Sequence, residues 1–560
     1  MDDFSVLIGG KAGFGIDKSG SVIGRLLNRL GYRVYIYRDY PSLIRGGHTF
    51  SIIRASKNRI ATHQDKVDLV LALNQEAVDL HRKRLKKDCF LIFDSEQLKP
   101  GVVEGCGLGI PLEKLLKEDD APEIMRNTCI VGALTKALGV NFDILAEVLK
   151  KEFAKDIDLN LKVAQRGFNE AKELIKIEPL QQEILPLLTG NQAIALGLIK
   201  GGLNTYISYP MTPTSPVLHF LAEIAGDFSL NVIHPESEIG VILMALGFSY
   251  LGKKTAVGTS GGGFCLMTEG LSFSGMAELP VVIILGQRPG PSTGLPTYSA
   301  QTELHFALNA GQGEFARFIV APGDAEEAYY WSAVSMNMSW KYQIPSIILT
   351  DKNLGEGVFN FDLNTAGEIK EGPPVFWDGK SAYKRYLVTE NGVSPLAFPP
   401  VKDAIIKVNS YEHDEFGITT EDSKQATLMQ EKRLRKERFL AEDLENIKTV
   451  NVYEGENPEV ALLCWGSNKG VCIEVGQRLG LKVIQPIVLN PFPVKQFKEN
   501  LSGVKKLICV EGNATGQLRK LIKGYGFNVD AAISKYDGRP FFLEELEEKV
   551  KACLPAGRGL

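Results

Sequence analysis

The sequence predicts an α/β protein of three units, the central one a mostly parallel sheet with helices on both faces. Three observations predict it. Short runs rich in Val, Ile and Leu recur along the chain and alternate with stretches of helical periodicity. Polar turns rich in Gly and Pro follow several of these runs directly, where open α/β sheets build their sites. A chain of 560 residues also has room for about three or four domains.

The elements follow in order. Residues 4–9 read as a strand, Gly9 to Gly15 as a glycine turn, 19–30 as a helix and 32–37 as a second strand, a βαβ start. The turn admits a nucleotide phosphate or close helix–strand packing. Its spacing is not Gly-x-Gly-x-x-Gly and favours packing. Strands at 68–74 and 89–94 and helices at 127–138 and 142–153 follow, and a charged helix and linker at 171–185 ends a first unit of residues 1–180. The second unit, 190–380, carries strands at 205–208, 231–234, 254–259, 281–286, 315–320 and 346–350, with helical segments between them. Residues 381–450 form a Pro-rich and then charged extension; the mixed signs of 431–438 predict a solvated helix. The third unit, 451–560, repeats the α/β pattern with strands at 459–465, 482–487 and 505–510.

Composition narrows the function. Hydrophobic content of 44% and charged content of 23% are those of a globular protein. A net charge of −4 leaves no basic footprint for nucleic acid. The apolar runs are too short to span a bilayer, and the amino end, Met1-Asp2-Asp3-Phe4, lacks the basic start and apolar core of a signal peptide, so the expected compartment is the cytoplasm, away from membranes. The eight cysteines are scattered without a Cys-x-x-Cys pair. They read as buried reduced thiols, and no metal or iron–sulfur site is expected within this chain.

Chemistry concentrates in the second unit. Tyr209-Pro210-Met211-Thr212-Pro213-Thr214-Ser215, Pro235-Glu236-Ser237-Glu238, Thr259-Ser260-Gly261-Gly262-Gly263-Phe264 and 287–297 each follow a predicted strand and read as one binding surface. Thr212 offers a hydroxyl from a loop stiffened by proline, while Pro213 and Pro216 suit the first turn of the next helix. Either Glu236 or Glu238 is an acid at a helix start, or one of them meets a ring nitrogen; composition does not separate the two. Arg288, at the end of the most apolar strand, suits a carboxylate, because its planar fork matches two oxygens; the alternative is pairing with a structural acid. Gly258 to Gly262 also fits Gly-x-Ser-x-Gly, which would make Ser260 a nucleophile, but the continuing glycine run suits close approach to a ligand at least as well. His219, His234 and His305 lack metal-ligand spacing.

These residues resemble the 2-oxoacid:ferredoxin oxidoreductase family. The run 209–215 is similar to the Tyr-Pro-Ile-Thr-Pro-Ser-Ser signature of its alpha subunits, as are Ser237-Glu238, 259–264, Met267 to Gly270, 287–297, Glu412-His413-Asp414, Pro491-Phe492-Pro493 and 511–518. Gly9 to Gly15, Arg45-Gly46-Gly47 and Arg54-Ala55-Ser56 look like the gamma subunit, so the resemblance covers nearly the whole chain in gamma-then-alpha order, the fused form typical of 2-oxoglutarate-type alpha subunits. It implies a gamma-like domain at 1–180, a thiamine-diphosphate-binding pyrimidine-type domain at 190–380, and a transketolase-C-like domain at 451–560.

The resemblance also implies an activity: coenzyme A-dependent oxidative decarboxylation of a 2-oxoacid, best matched by 2-oxoglutarate going to succinyl-CoA, with electrons passed to ferredoxin. Thiamine diphosphate would lie between alpha and beta subunits. Glu238 would meet its aminopyrimidine ring, and Tyr209, Pro210, Thr259, Ser260 and Gly261 would line the cofactor. Arg288 would hold the substrate carboxylate, with Thr212 beside it. The chain has neither the Gly-Asp-Gly motif of a magnesium–diphosphate site nor a ferredoxin-like cysteine run. Mg2+ and the [4Fe-4S] cluster are therefore expected in an obligate beta subunit, in an assembly of two alpha–beta pairs. Pyruvate, branched-chain and aryl 2-oxoacids are alternatives. A dicarboxylate needs a further cation, for which His219, His305 or a beta-subunit lysine are candidates. The competing class is a non-catalytic, nucleotide-binding regulatory α/β protein.

Overall fold

The computed structural model describes residues 2–42, 46–98, 107–370 and 372–554. Arg45 and Cys106 lie outside them. The chain forms two compact units: Met1–Leu188 with Glu356–Phe361 and Phe542–Glu547, and Thr189–Gly355 with Asp362–Phe541 and Glu548–Leu560.

The first unit is built on a sheet containing β1 (Asp3–Lys11), β2 (Arg33–Asp39), β3 (His48–Ser56), β4 (Val67–Ala72), β5 (Leu85–Asp94) and β6 (Gly107–Ile110). Their order is β6-β5-β4-β1-β3-β2, extended by the short strands Val358–Asn360 and Leu187–Thr189. β1 runs parallel to β4 and antiparallel to β3. The glycine turn leads from β1 into α1 (Ile16–Arg29), with Gly15 in the left-handed region at its N-cap. Helices α2 (Arg126–Ala137), α3 (Phe142–Glu152) and α4 (Ile157–Glu170) complete the core with Ile8, Leu26, Ile53, Leu71 and Ile130. The helix expected within 171–185 is absent. α4 stops at Ala171, and the chain runs on without helix, its amides at Leu174, Ile175 and Leu180 donating to the carbonyls of Ala137 and Leu30. Pro179 holds its predecessor extended, and Ile177 packs into the core of the unit instead of forming a helix face.

In the second unit, β7 (Thr205–Ile207), β8 (Asn231–Ile233), β9 (Thr255–Ser260), β10 (Val281–Gln287), β11 (Phe318–Val320) and β12 (Pro345–Asp351) lie in the order β11-β12-β10-β9-β7-β8, all parallel. An antiparallel strand, Val488–Asn490, closes the β11 edge. The segment read as a strand from 315 begins its strand only at Phe318. Helices α5 (Gly190–Lys200), α6 (Ser215–Glu223), α7 (Glu238–Tyr250), α8 (Gly261–Ala277), α9 (Leu304–Asn309) and α10 (Ala325–Tyr342) connect the strands. The last sheet, β13 (Val450–Tyr453), β14 (Asn457–Leu463), β15 (Leu481–Pro486), β16 (Lys506–Glu511) and β17 (Ala531–Ser534), has the order β13-β15-β14-β16-β17. Ile283, Leu285 and Ile319 share one core with Leu463, Trp465 and Ile484, so the two sheets are packed together.

The charged segment 431–438 is helical within α11 (Ser423–Leu444), but it is not a solvated helix. Lys432 and Lys436 are fully buried, and Arg433 nearly so. The reason is Glu278, a buried acid in the left-handed C-cap position of α8. Lys432 Nζ donates to both its oxygens at 2.7 and 2.8 Å, Lys436 pairs with it, and Arg385 donates to its carbonyl at 2.8 Å. Arg433 forms a two-pronged pair with Glu412 at 3.0 and 2.6 Å. Burial alone would push the Glu278 carboxyl up; Lys432, Lys436 and Arg385 outweigh it and hold it well below the usual carboxylate range.

Breaking this cluster leaves two buried cations facing each other. Glu278→Ala is expected to cost about 3–5 kcal/mol, measured as a lower denaturant midpoint with an unchanged slope. Because the folded carboxyl titrates below its ordinary value of 4.5, this contribution is complete above that pH and is lost as pH falls further.

Candidate active site

The polar turns of the second unit converge because β8, β7, β9 and β10 are parallel neighbours, so their carboxyl ends lie on one edge. The loop 209–215 follows β7, Glu238 opens α7 after β8, the glycine run opens α8 directly from β9, and Arg288 leaves β10. Buried Asn191 on α5 donates to the Pro213 carbonyl at 2.9 Å, and Thr214 Oγ1 donates to the Met211 carbonyl at 2.9 Å, which fixes the loop. Pro216 lies in the first turn of α6, whereas Pro213 precedes the helix and packs on Gly286.

Three groups at this edge, Thr212, Arg288 and Glu238, have bonding capacity to spare. Thr212 is half-buried, and its hydroxyl meets no described partner. Its carbonyl accepts from Arg288 Nη1 at 3.0 Å. Arg288 is 7% exposed, its Nε is buried without a partner, and it forms no ion pair with a described carboxylate. Burial lowers its pKa, opposed by the charge of Glu303. Glu238 is 5% exposed and accepts no hydrogen bond from a described residue, whereas Glu236 is exposed; the structure separates the two acids. The Glu238 carboxylate packs over Gly263, where an added Cβ would lie 2.8 Å from Glu238 Cγ and overlap both the carboxylate and Thr259 Oγ1. Met211 Cε reaches within 4.0 Å of the same point on Gly262. Thr259 and Ser260 are buried and Gly261 is half-buried, while Tyr209 stays largely exposed beside Pro210.

One acid of this constellation is not visible in the sequence pattern. Glu303, at the start of α9, is 8% exposed and sits with Oε1 2.8 Å from an added Cβ on Gly261. Burial pushes its carboxyl up to about 7, against the pull of Thr302 and Arg288. The Pro- and Gly-rich loop 289–300 hides its return to the site; the only signal is a polar Gln301-Thr302-Glu303 before an apolar helix.

Other candidates are spent elsewhere. His305 Nε2 donates to the Gln517 carbonyl at 2.9 Å, and His219 is exposed on α6. Glu412 clamps Arg433, and Asp414 accepts from the amides of Phe416 and Ile418 in a turn. Glu511 accepts from the amides of Leu518 and Arg519 at 2.8 and 3.2 Å, fixing the turn before Gln517. Ser260 Oγ is buried without a partner, so no histidine activates it as a nucleophile. Cys89, Cys129, Cys464, Cys472 and Cys509 are buried, but Cys265 on α8 is exposed, against the expectation of buried thiols. Among the described residues no cluster of three metal-ligating side chains occurs, and no helix is long and apolar enough to cross a membrane.

A buried arginine and two buried carboxyls gather around the glycine-rich end of a parallel sheet, where α/β enzymes build their sites. The comparisons with known proteins are specific. A family model described as pyruvate flavodoxin/ferredoxin oxidoreductase, thiamine diphosphate-binding, matches residues 196–432. One described as pyruvate ferredoxin/flavodoxin oxidoreductase matches residues 5–170. The chain is 30% identical to a 2-oxoacid:ferredoxin oxidoreductase subunit alpha of Saccharolobus solfataricus, over 99% of this chain and 98% of that one. It is 27% identical to a 2-oxoglutarate oxidoreductase subunit KorA of Mycobacterium tuberculosis, over 77% of this chain and 69% of that one. It superimposes on a 2-oxoglutarate:ferredoxin oxidoreductase of Magnetococcus marinus, a structure with 2-oxoglutarate, coenzyme A and succinyl-CoA bound, with a TM-score of 0.89, 30% identity and 99% of both chains covered. The chain belongs to the 2-oxoacid:ferredoxin oxidoreductase family, as an alpha subunit.

Gly263→Ala is expected to leave the fold intact but to displace Glu238 and Thr259. A displacement of about 1 Å can cost about a hundredfold in turnover, so the variant should retain its circular dichroism, melt somewhat lower by about 1–3 kcal/mol of overpacking, and lose most of its activity with the partner subunit.

Proposed function

We propose that this chain is the alpha half of a thiamine diphosphate enzyme that oxidatively decarboxylates 2-oxoglutarate to succinyl-CoA, with ferredoxin as electron acceptor and a beta subunit completing the site. The observation that carries it is Arg288: a buried guanidinium that spends one donor on a carbonyl and meets no carboxylate ion pair. A guanidinium has five donors, and a substrate carboxylate is the partner whose shape matches those left over. The bound 2-oxoglutarate, coenzyme A and succinyl-CoA of the Magnetococcus protein support the substrate.

The residues fit the cofactor. Glu238 is a buried carboxyl without a partner, and burying such a group is costly until something hydrogen-bonds to it. A protonated pyrimidine nitrogen would supply that bond, and Gly262, whose added Cβ would meet only Met211 Cε at 4.0 Å, leaves open space in the same turn. Tyr209, Pro210, Thr259 and Ser260 would form the walls of that pocket. Bound thiamine diphosphate supplies the carbon nucleophile and the electron sink that the protein lacks. Glu238 would hold a proton at the ring nitrogen, Arg288 would orient the 2-oxoacid by its carboxylate, and Thr212 would offer its hydroxyl beside that carboxylate. The overall reaction would release carbon dioxide, transfer the acyl group to coenzyme A and pass two electrons, one at a time, through an iron–sulfur cluster to ferredoxin.

The need for a beta subunit has its own support. Ile239, Leu243 and Met244 of α7 and Leu266 of α8 are 44–50% exposed, on the helices that begin at Glu238 and at Gly261. An apolar helix face left in water next to a half-built site is a surface for a partner. In this reading the beta subunit covers it and brings Mg2+ and the [4Fe-4S] cluster, in an assembly of two alpha–beta pairs. Residues 1–180 are the gamma-like domain, 190–380 the pyrimidine-binding domain and 451–560 the transketolase-C-like domain.

The test is electron transfer by the alpha–beta complex with a panel of 2-oxoacids and coenzyme A. Reduction of ferredoxin should be fastest with 2-oxoglutarate; a clear preference for pyruvate or a branched-chain acid would replace that substrate. Arg288→Ala should raise the apparent KM or lower turnover by the equivalent of about 2–5 kcal/mol. Wild-type kinetics would remove Arg288 from the carboxylate site.

A further inference from the structure

Glu303 is a buried titratable group of this edge that the reading above leaves unused. It is held on three sides. Its amide donates to Gln287 Oε1 at 3.2 Å, its Oε1 lies against Gly261, and its Oε2 is 2.8 Å from Thr302 Oγ1. Thr302 Oγ1 is also 3.2 Å from the carbonyl oxygen of Arg288, and the Thr302 carbonyl is fixed by Gln517 Nε2 at 2.7 Å. A hydroxyl has one hydrogen. With Glu303 ionised, Thr302 faces two acceptors and satisfies one well. With Glu303 protonated, Glu303 donates to Thr302 Oγ1 and Thr302 donates to the Arg288 carbonyl, so both bonds are made.

The charged surroundings are sparse. Arg288, from the loop after β10, is the charged group that acts on Glu303; Gln287, Gly261, Thr302 and Gln517 are neutral. His305, on the same helix, turns its Nε2 to the Gln517 carbonyl, and Glu238 packs farther along, against Gly263. A substrate carboxylate on Arg288 would be a second anion drawn to the same guanidinium. Two like charges in one buried site disfavour each other, and the cheaper solution is that one takes a proton.

We infer that Glu303 is a positioning residue for substrate binding: through Thr302, which it frees to donate to the Arg288 carbonyl, it steadies the segment that carries Arg288, and it takes up one proton when the 2-oxoacid carboxylate docks there. The inference rests on the proposed carboxylate role of Arg288. Near neutral pH the free enzyme holds Glu303 in both forms, since burial brings its carboxyl to about 7. Only the protonated form accepts substrate readily, so affinity falls as pH rises.

The experiment is the pH dependence of kcat and of the apparent KM for the preferred 2-oxoacid, from pH 6 to pH 8, in the assembled alpha–beta enzyme. KM should rise about tenfold across this range in the wild type, the behaviour of one group titrating near 7, with kcat changing much less. Glu303→Gln, neutral and nearly isosteric, should hold KM near its low-pH value throughout. Glu303→Asp should restore a pH-dependent KM. Infrared difference spectra of the same complex, wild type against Glu303→Gln, should show a protonated-carboxyl band that fades between pH 6 and pH 8. A KM profile in Glu303→Gln that tracks the wild type, or a carboxyl ionised throughout, overturns the inference while leaving Arg288 its role. If Arg288→Ala binds the 2-oxoacid as the wild type does, the carboxylate reading fails first and this inference with it.

Discussion

Two buried carboxyls lean on the first turn of one helix, and they fit because residues 261 and 263 of α8 carry no side chain. A Cβ at 263 would overlap Glu238 and Thr259, and one at 261 would crowd Glu303. The free amide groups and dipole at this end of α8 favour negative charge, which offsets part of the cost of burying two acids. The far end of the helix is fixed by a third acid, Glu278, which binds Lys432 and Lys436 of α11. α8 thus has buried acids at both ends: Glu238 and Glu303 pack on its glycines at the opening turn, and Glu278 pairs with α11 at the far end. Its opening turn is fixed in space before any cofactor or substrate arrives, and that placement sets where Glu238, Thr212 and Arg288 meet.

The site so built is unfinished in a consistent way. Among the described residues, Thr212 Oγ1, Glu238 and most of the Arg288 fork lack partners, and Ser260 Oγ is buried without one. Polar groups desolvated this far are costly, and a fold keeps them when a ligand repays the cost. The exposed apolar side chains of α7 and α8 surround the same turn. Unsatisfied donors and acceptors beside an uncovered apolar face are what half of a shared active site looks like. The family to which the chain belongs is one of thiamine diphosphate-dependent 2-oxoacid:ferredoxin oxidoreductases, and the proposed roles follow from which of these groups are left without partners among the described residues.

Much of this was legible in the sequence because the information is local. Strands followed at once by Pro- and Gly-rich turns marked the loop 209–215, the glycine run and Arg288, and a parallel sheet brings such turns to one edge without further instruction. Glu238 could not be told from Glu236 by composition, since only burial against Gly263 separates them. Glu303 was missed because it returns to the site through a long irregular loop, where periodicity carries no signal. Lys432 and Lys436 read as solvated because their neighbours alternate in sign; the acid that buries them lies at the end of a distant helix. The strand Val358–Asn360 is invisible for the same reason, as it pairs with β2 of the first unit. Local pattern predicts elements, and long-range charge pairing and strand exchange decide which of them are buried.

The central claim is that the cofactor site is divided between two chains. Calorimetric titration of thiamine diphosphate with Mg2+ into this chain alone, and into its complex with the beta subunit, tests that most directly. The account predicts no measurable binding to the isolated chain and one cofactor per alpha–beta pair in the complex, weakened by Glu238→Gln. Tight stoichiometric binding to the isolated chain, or binding to the complex indifferent to Glu238, would contradict it.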